Sequence, residues 1–166
     1  MVSSNLDRMI QLAEDVFSTK NDPQQISVTE EVMERLRQIH PATLSQKDDG
    51  NGPVAWVLLI PTTTTLMRQF ISMQLTESEL LQNTPFPGIY EAIYLCSALV
   101  LPEHRGKGVA KSLASEAIRE IRKKHPINSL FCWAFSPEGA KLATSIAAEM
   151  KLSFLSRTGG SRYTGA

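Results

Sequence analysis

The stretch from Leu99 to Leu113, LVLPEHRGKGVAKSL, joins an apolar run to a helical pattern. Gly106 and Gly108 stand in the turn between the two, and cations flank them. The first four amides of a helix have no partner within it, and the helix dipole places roughly half a positive charge at that end. Glycines in the turn leave room for a ligand to approach these amides. The junction is therefore either a glycine-assisted turn before a surface helix or a cradle for an anion.

Strand and helix patterns alternate on both sides of this junction. An apolar run over residues 89–101 predicts a strand, residues 105–124 a helix, and residues 127–135 a second strand. Ser136 has the N-cap position of another helix, and a last strand follows at 152–157. The order strand, helix, strand, helix, strand predicts an α/β fold of the mixed α+β kind, with a central mixed sheet flanked by helices.

The first part of the chain predicts two amphipathic helices and one strand that is buried on both faces. The helices follow from apolar residues at spacings of three and four, and the strand from a nearly uncharged run of β-formers. The predicted elements are a helix over 6–17 capped by Ser3 or Ser4, a helix over 27–40 with a Ser27–Glu30 capping box, an exposed loop at 46–52, and a strand at 53–60.

Residues 62–74, TTTTLMRQFISMQ, stand where a second early strand would be expected. Leu66 and Phe70 have helical spacing, which favours a helix, although the β-branched threonines leave a strand open at its start. Thr76 and Glu79 have the spacing of a capping box ahead of another short helix. The apolar stripe of this region belongs to the core by default, with a lid over a cleft or a homodimer face as alternatives.

The composition predicts a single soluble domain. The 166 residues carry 17 Lys and Arg against 17 Asp and Glu, so the overall charge favours neither a nucleic acid nor a membrane as partner. No apolar run is long enough for a transmembrane helix, and the early acidic residues argue against a signal peptide, which leaves a cytoplasmic protein as the expectation. We expect one domain over residues 1–156 and a loose tail over 157–166.

The histidines and cysteines show no metal-ligand spacing, so no metal is expected. Cys96 and Cys132 lie in apolar runs, which is typical of buried thiols. His40 and His125 each precede a proline at the end of a predicted helix, a position that suits a cation.

Residues 100–110, VLPEHRGKGVA, resemble the central motif of the GCN5-related N-acetyltransferases (GNAT). The family signature, Arg/Gln-x-x-Gly-x-Gly/Ala, follows a strand that ends in Val-x-Pro. Arg105, Gly108 and Ala110 occupy the signature positions, and Val100 and Pro102 match the strand end. The second half of the chain follows the family order of elements well, whereas the first half matches it poorly.

The resemblance implies that the loop amides bind the pyrophosphate of acetyl-coenzyme A and that the preceding strand edge pairs with its pantetheine arm. Ser136 would take the place of an asparagine that the family often has at the end of the next strand, although a helix cap explains it equally. The cofactor-binding residues implied are Leu99, Val100, Leu101, Arg105, Gly106, Lys107, Gly108, Val109, Ala110 and Ser136.

The tyrosine that protonates the departing thiolate in many GNAT enzymes has no counterpart here. The alignment places Ala147 at its position, or Glu149 after a shift of two residues. Ser145 in the same helix and Tyr163 in the tail are the substitutes that the sequence offers.

A base is also needed, because an amine must lose a proton before it attacks a thioester. Glu91 is the only charged residue between Gly88 and Leu101, which makes it the candidate, with a solvated strand end as the alternative. Tyr94 is the second candidate; the two side chains point to opposite faces of the strand unless a bulge intervenes.

The function implied by the resemblance is acetyl transfer from acetyl-coenzyme A to an amine, either a small molecule or a peptide. The missing tyrosine favours a second hypothesis, a domain of the same fold that binds acyl-coenzyme A as a sensor or interaction module without turnover.

Overall fold

The computed structural model describes residues 4–18, 29–133 and 136–157. Within these ranges the chain forms six α-helices, five strands and a short 3₁₀ turn at Pro102–His104. The helices are α1 (Asn5–Ser18), α2 (Glu30–Ile39), α3 (Thr64–Ile71), α4 (Glu77–Asn83), α5 (Val109–Arg122) and α6 (Pro137–Met150). The strands are β1 (Leu44–Asp48), β2 (Pro53–Thr62), β3 (Ala92–Val100), β4 (Ser129–Trp133) and β5 (Ser153–Arg157).

The strands form one mixed sheet in the order β1-β2-β3-β4-β5. β1, β2 and β3 pair antiparallel, whereas β3, β4 and β5 pair parallel through the crossover helices α5 and α6. The predicted strand–helix alternation in the second half and the mixed sheet are therefore confirmed.

Helices cover both faces of the sheet. α5 packs on β1, β2 and β3, and α6 packs on α5, β4 and β5. On the opposite face, Phe70 of α3 packs its ring against Tyr94 of β3 and Phe131 of β4, with ring centroids 4.9 and 5.9 Å apart. α1 packs on the same face, where Met9 contacts Val54 of β2. The apolar stripe of α3 therefore belongs to the core, since Met67 and Phe70 are buried.

The sequence-based prediction of a loop at 46–52 is wrong in its first part. Residues Gln46–Asp48 lie in β1, the edge strand that supplies the second early strand. Its residues are mostly exposed and polar, as is common on a sheet edge, so hydrophobic alternation did not reveal it.

The start of α2 also differs from its prediction. Thr29 caps the helix by accepting the Val32 amide, so the Ser27–Glu30 capping box is wrong; Ser27 itself lies outside the described residues. The other predicted caps hold, because Ser4 accepts the Asp7 amide and Thr76 forms a complete capping box with Glu79. Ser3 lies outside the described residues.

The last strand ends where the sequence predicts. Arg157 is buried and ends β5, as in the predicted strand over 152–157. Residues 158–166, including Tyr163, lie outside the described residues, as do Ala134 and Phe135 at the end of the predicted strand 127–135.

Candidate functional site

The connection between β3 and α5 is a tight turn followed by two glycines in the left-handed region. Gly106 has φ 76° and Gly108, the N-cap of α5, has φ 75°. Arg105 fixes the turn by donating from Nε to the carbonyl of Val100 at 2.9 Å. Side chains are disfavoured at such φ values, which explains the glycines in physical terms.

The amides of residues 106–110 donate to no acceptor among the described residues. A Cβ built on Gly106 or Gly108 would meet nothing within 4 Å, so the space over the loop is open. Lys107 and Arg105 are exposed beside it. Free amides, the positive end of a 14-residue helix and two cations together form a site suited to an anion such as a phosphate group.

β3 and β4 separate next to this loop. Among the described residues, their last pair is Leu95 with Cys132, whereas β3 continues to Val100 and pairs there with β2. The register against β2 shifts at the same point and leaves Cys96 as an extra residue, a β-bulge. Within the part of the chain that the structure describes, this leaves an opening beside the second half of β3.

The alternation of hydrogen-bonded and non-hydrogen-bonded residues between β2 and β3 determines which backbone groups of β3 face this opening. Leu101 donates its amide to Val54 of β2, so in an antiparallel ladder Leu99 and Leu101 point their polar groups at β2, while Ala98 and Val100 point theirs away. Of the three predicted edge residues, only Val100 is therefore oriented toward the opening. Ala98, which the sequence reasoning missed, is oriented the same way.

The side chains of Leu99 and Leu101 pack in a satellite core beneath α1, together with Met9 and Val54. They are 8% and 2% exposed, so these two residues support the strand from the face opposite α5. Their predicted role in direct cofactor contact is not supported by this orientation.

An ion pair ties the loop to α1. Arg8 donates to the Glu103 carboxylate at 2.7 Å, and this hydrogen bond lowers the pKa of Glu103 to about 2. Next to it, His104 Nε2 lies 3.6 Å from an oxygen of Asp49. These contacts hold the turn before the glycines against two separate elements.

Glu91 lies immediately before β3, not within the strand as predicted. Its carboxylate accepts the amide of Thr64, in the first turn of α3, at 3.3 Å. Its backbone amide donates to Thr62, and its carbonyl accepts the Asn128 amide. A carboxylate at a helix N-terminus stabilises the helix, so these contacts assign Glu91 a structural role at the start of α3.

Tyr94 is fully buried, and its hydroxyl donates to Glu77 at 2.5 Å. Glu77 is the first residue of α4 and is also fully buried. The bulge at Cys96 follows Tyr94, so it does not bring Glu91 and Tyr94 together. The sequence reasoning missed Glu77, because an acidic residue in the first turn of a helix is ordinary and gives no sign that it faces inward.

The structure places the predicted residues of α6 at its N-cap and along the helix. Ser136 caps the helix by accepting the Gly139 amide at 3.0 Å, which confirms its structural role. Ser145 is half-buried, and Ala147, where the family tyrosine would stand, is buried at 3% exposure. Glu149, the alternative at that position, accepts a hydrogen bond from Ser115 of α5 at 2.6 Å.

His40 and His125 do not have the cationic character predicted for them. Burial lowers the pKa of both imidazoles, and Lys124 lowers each further. Their Nδ1 atoms accept backbone amides, from Ala42 to His40 and from Tyr90 to His125, which requires the neutral form at that nitrogen.

The family model of the GNAT acetyltransferases matches residues 8–140, most of the chain. The chain belongs to the GNAT acetyltransferase family. Membership supports acyl transfer in general as its chemistry.

Two solved structures are similar to the chain at low identity. One, a ribosomal-protein-alanine N-acetyltransferase from Brucella melitensis, is 16% identical, with 90% of this chain and 81% of that chain covered and a TM-score of 0.46. The other, described as histone acetyltransferase HPA2 and related acetyltransferase from Corynebacterium glutamicum, is 15% identical. The match covers 89% of this chain and 81% of that chain, with a TM-score of 0.43. A search of the curated proteins found no significant match.

Membrane-spanning helices and clusters of metal ligands are both absent from the described ranges. None of their helices has the length and apolarity to cross a membrane. Nor do they bring three His, Cys, Asp or Glu side chains together in a group that could hold a metal ion.

Proposed function

We propose that this GNAT protein transfers an acetyl group from acetyl-coenzyme A to an amine. The observation that carries the proposal is the continuous binding surface formed by the free amides of residues 106–110 and the open edge of β3. The residues suit the cofactor. The loop would hold its pyrophosphate, and the backbone groups of Ala98 and the amide of Val100 would pair with its amide-bearing arm as an added strand does.

The proposal also implies a direction for the pantetheine arm. With the pyrophosphate at the start of α5, an arm that follows the β3 edge extends back toward the bulge at Cys96. Its reactive end then lies near the point where β3 and β4 separate. Holding thioester and amine together there, away from water, would supply most of the rate enhancement.

The loop residues that we propose for the cofactor are Arg105, Gly106, Lys107, Gly108, Val109 and Ala110. Arg105 acts by fixing the turn, and Lys107 adds an exposed charge that salt would screen. Val109 and Ala110 contribute backbone amides, and the half-buried alanine leaves room beside them.

A second function, binding of acyl-coenzyme A without turnover, is favoured by one observation. Ala147 is a buried apolar residue where GNAT enzymes often place the acid for the leaving thiolate. A sensor or interaction module needs no such acid.

Thiol release from acetyl-coenzyme A separates the two functions. The purified protein is incubated with a free amino acid, a polyamine, an aminoglycoside or a short peptide with a free N-terminus, and coenzyme A binding is titrated in parallel. We expect amine-dependent thiol release and a matching acetylated product by mass spectrometry. Binding without release for every amine class would favour the sensor, and the absence of both would contradict each proposal.

A further inference from the structure

The pair formed by Glu77 and Tyr94 is a buried acid–phenol contact between two elements that are distant in sequence. Tyr94 lies on β3 and Glu77 begins α4, and both side chains are 0% exposed. The phenol oxygen and the carboxylate oxygen are 2.5 Å apart, a short distance typical of charge-assisted O–H···O hydrogen bonds. Burying two polar groups in a core is costly unless they are well paired, so the pair calls for an explanation.

Both groups are held in fixed positions. The Tyr94 ring packs against Phe70 at 4.9 Å and Phe131 at 5.1 Å between centroids. The start of α4, and with it Glu77, is set by the capping box of Thr76 and Glu79. A hydrogen bond held on both sides in this way is preorganised for proton transfer.

The pair lies close to the point where β3 and β4 separate. Tyr94 pairs with Phe131, one position before the last β3–β4 pair at Leu95 and two positions before the bulge at Cys96. In the proposed function the thioester lies at this point. Glu91, by contrast, lies five residues before the bulge, about 16 Å along an extended strand.

We propose that Glu77 accepts a proton from the reacting amine through the hydroxyl of Tyr94, an inference that rests on the proposed function. As the free amine nitrogen attacks the thioester carbon, it gives a proton to the Tyr94 oxygen, and the phenol gives its own proton to Glu77. The C–N bond forms, the C–S bond breaks, and the thiolate leaves. The reverse movement of the proton, from Glu77 through Tyr94, converts the thiolate to free coenzyme A.

This relay would supply both proton transfers with one pair of residues. The proton lost by the amine is the one gained by the thiolate, so no other reactant is needed. It would also explain how the chain functions with Ala147 in place of the usual tyrosine of α6. Tyr94 is then the catalytic residue, and Glu77 acts through it.

Entry of the amine requires a local movement of the turn before Glu77. This turn, residues 72–76, is largely exposed; its Met73 has φ 68°, a strained value for a residue with a side chain. Arg157 binds the carbonyl of Leu75 at 3.2 Å and stacks over Trp133. Entry of the amine would therefore have to displace the contact between Arg157 and Leu75.

The test compares Glu77→Gln with wild type in the amine-dependent assay, using the amine that reacts fastest in the panel. Glutamine keeps the size of the side chain and an oxygen that can accept from Tyr94, but it loses the basicity. We expect kcat to fall by about 10²–10⁴-fold while acetyl-coenzyme A affinity stays unchanged. The matched control is Glu116→Gln at an exposed position of α5, across the sheet from this pair, which should retain wild-type kcat.

The pH dependence distinguishes proton transfer from a structural role. The ratio of the wild-type rate to the Glu77→Gln rate cancels the ionisation of the amine itself. With a relay, this ratio varies with pH, because only the wild type has an ionisable side chain at position 77. A structural defect gives a ratio that does not vary with pH.

Tyr94→Phe should cause a similar loss, and the double variant should lose no more than the single ones, because the two residues act as one unit. Equal rates for wild type and Glu77→Gln, a pH-independent ratio, or additive losses would overturn the relay and leave the proposed function standing. If wild type itself released no thiol with any amine, the proposed function would fail and the relay with it.

Discussion

At the scale of single residues, the two glycines of the β3–α5 connection have the most specific role. Their positive φ values and the open space over them suit a loop whose backbone, not its side chains, faces a ligand. Gly108 is also the N-cap of α5, where a side chain would stand over the first free amides.

Gly108→Glu should abolish binding of acetyl-coenzyme A while the protein stays folded. The new carboxylate would stand beside the free amides and repel the pyrophosphate. Gly108→Ala is the matched control, since it imposes the same backbone strain of roughly 1–2 kcal/mol without the charge. Calorimetric titration with circular dichroism checks both. Normal binding by a folded Gly108→Glu protein would rule out this loop as the site.

Glu91→Gln offers a second test at this scale. The structure assigns this side chain to the N-terminus of α3, where loss of the charge should lower stability by about 0.3–1 kcal/mol. Its effect on turnover should be far smaller than that of Glu77→Gln. Urea unfolding and amine-dependent thiol release measure the two effects. A loss of turnover equal to that of Glu77→Gln would restore Glu91 as a candidate base.

At the scale of elements, the ends of α2 and α5 meet through two histidines. The rings of His40 and His125 lie 6.2 Å apart, and both accept backbone amides. Burial lowers both pKa values below the ordinary 6.5; nearby Lys124 lowers them further, whereas Glu120 opposes this for His40. The unfolded chain therefore takes up protons on acidification before the folded one does, and folding stability is lost as pH falls from about 6.5 toward the lowered folded-state pKa values.

We expect the urea concentration at the unfolding midpoint to decrease as the pH is lowered from about 7.5 to about 5.5. A double variant with asparagine at His40 and His125 should show a smaller fall, because an amide oxygen can accept the same backbone amides without titrating in this range. Glu103, with a pKa of about 2, changes folding stability only at more acidic pH. It therefore does not affect the comparison of the double variant with wild type. An equal decrease of the urea midpoint in the double variant would show that these imidazoles do not control acid stability.

At the scale of the whole molecule, the sequence predicted the second half well and the first half less well. The order β3-α5-β4-α6-β5 follows from apolar runs and caps that act locally, such as Ser136 at α6. β1 could not be found in this way, because an exposed edge strand carries no apolar alternation and is fixed by its pairing with β2.

The candidate site also has a part that the sequence predicts and a part that it does not. The residues of the loop at 105–110 are consecutive in sequence. Its glycines and cations could therefore be recognised as one motif. The orientation of Ala98 depends on the register of β3 against β2, and Glu77 meets Tyr94 only because α4 packs on the sheet. Contacts of this kind depend on tertiary packing, which spacing along the chain does not reveal.

The most direct test of the central claim is to record amide NMR spectra of the protein with and without acetyl-coenzyme A. We predict that the largest shifts fall on the amides of residues 106–110 and on Ala98 and Val100, with smaller changes at Leu99 and Leu101, whose amides face β2. The Gly108→Glu protein should show none of these shifts. Binding that leaves residues 106–110 unshifted and perturbs another surface would contradict the assignment of this loop as the cofactor site.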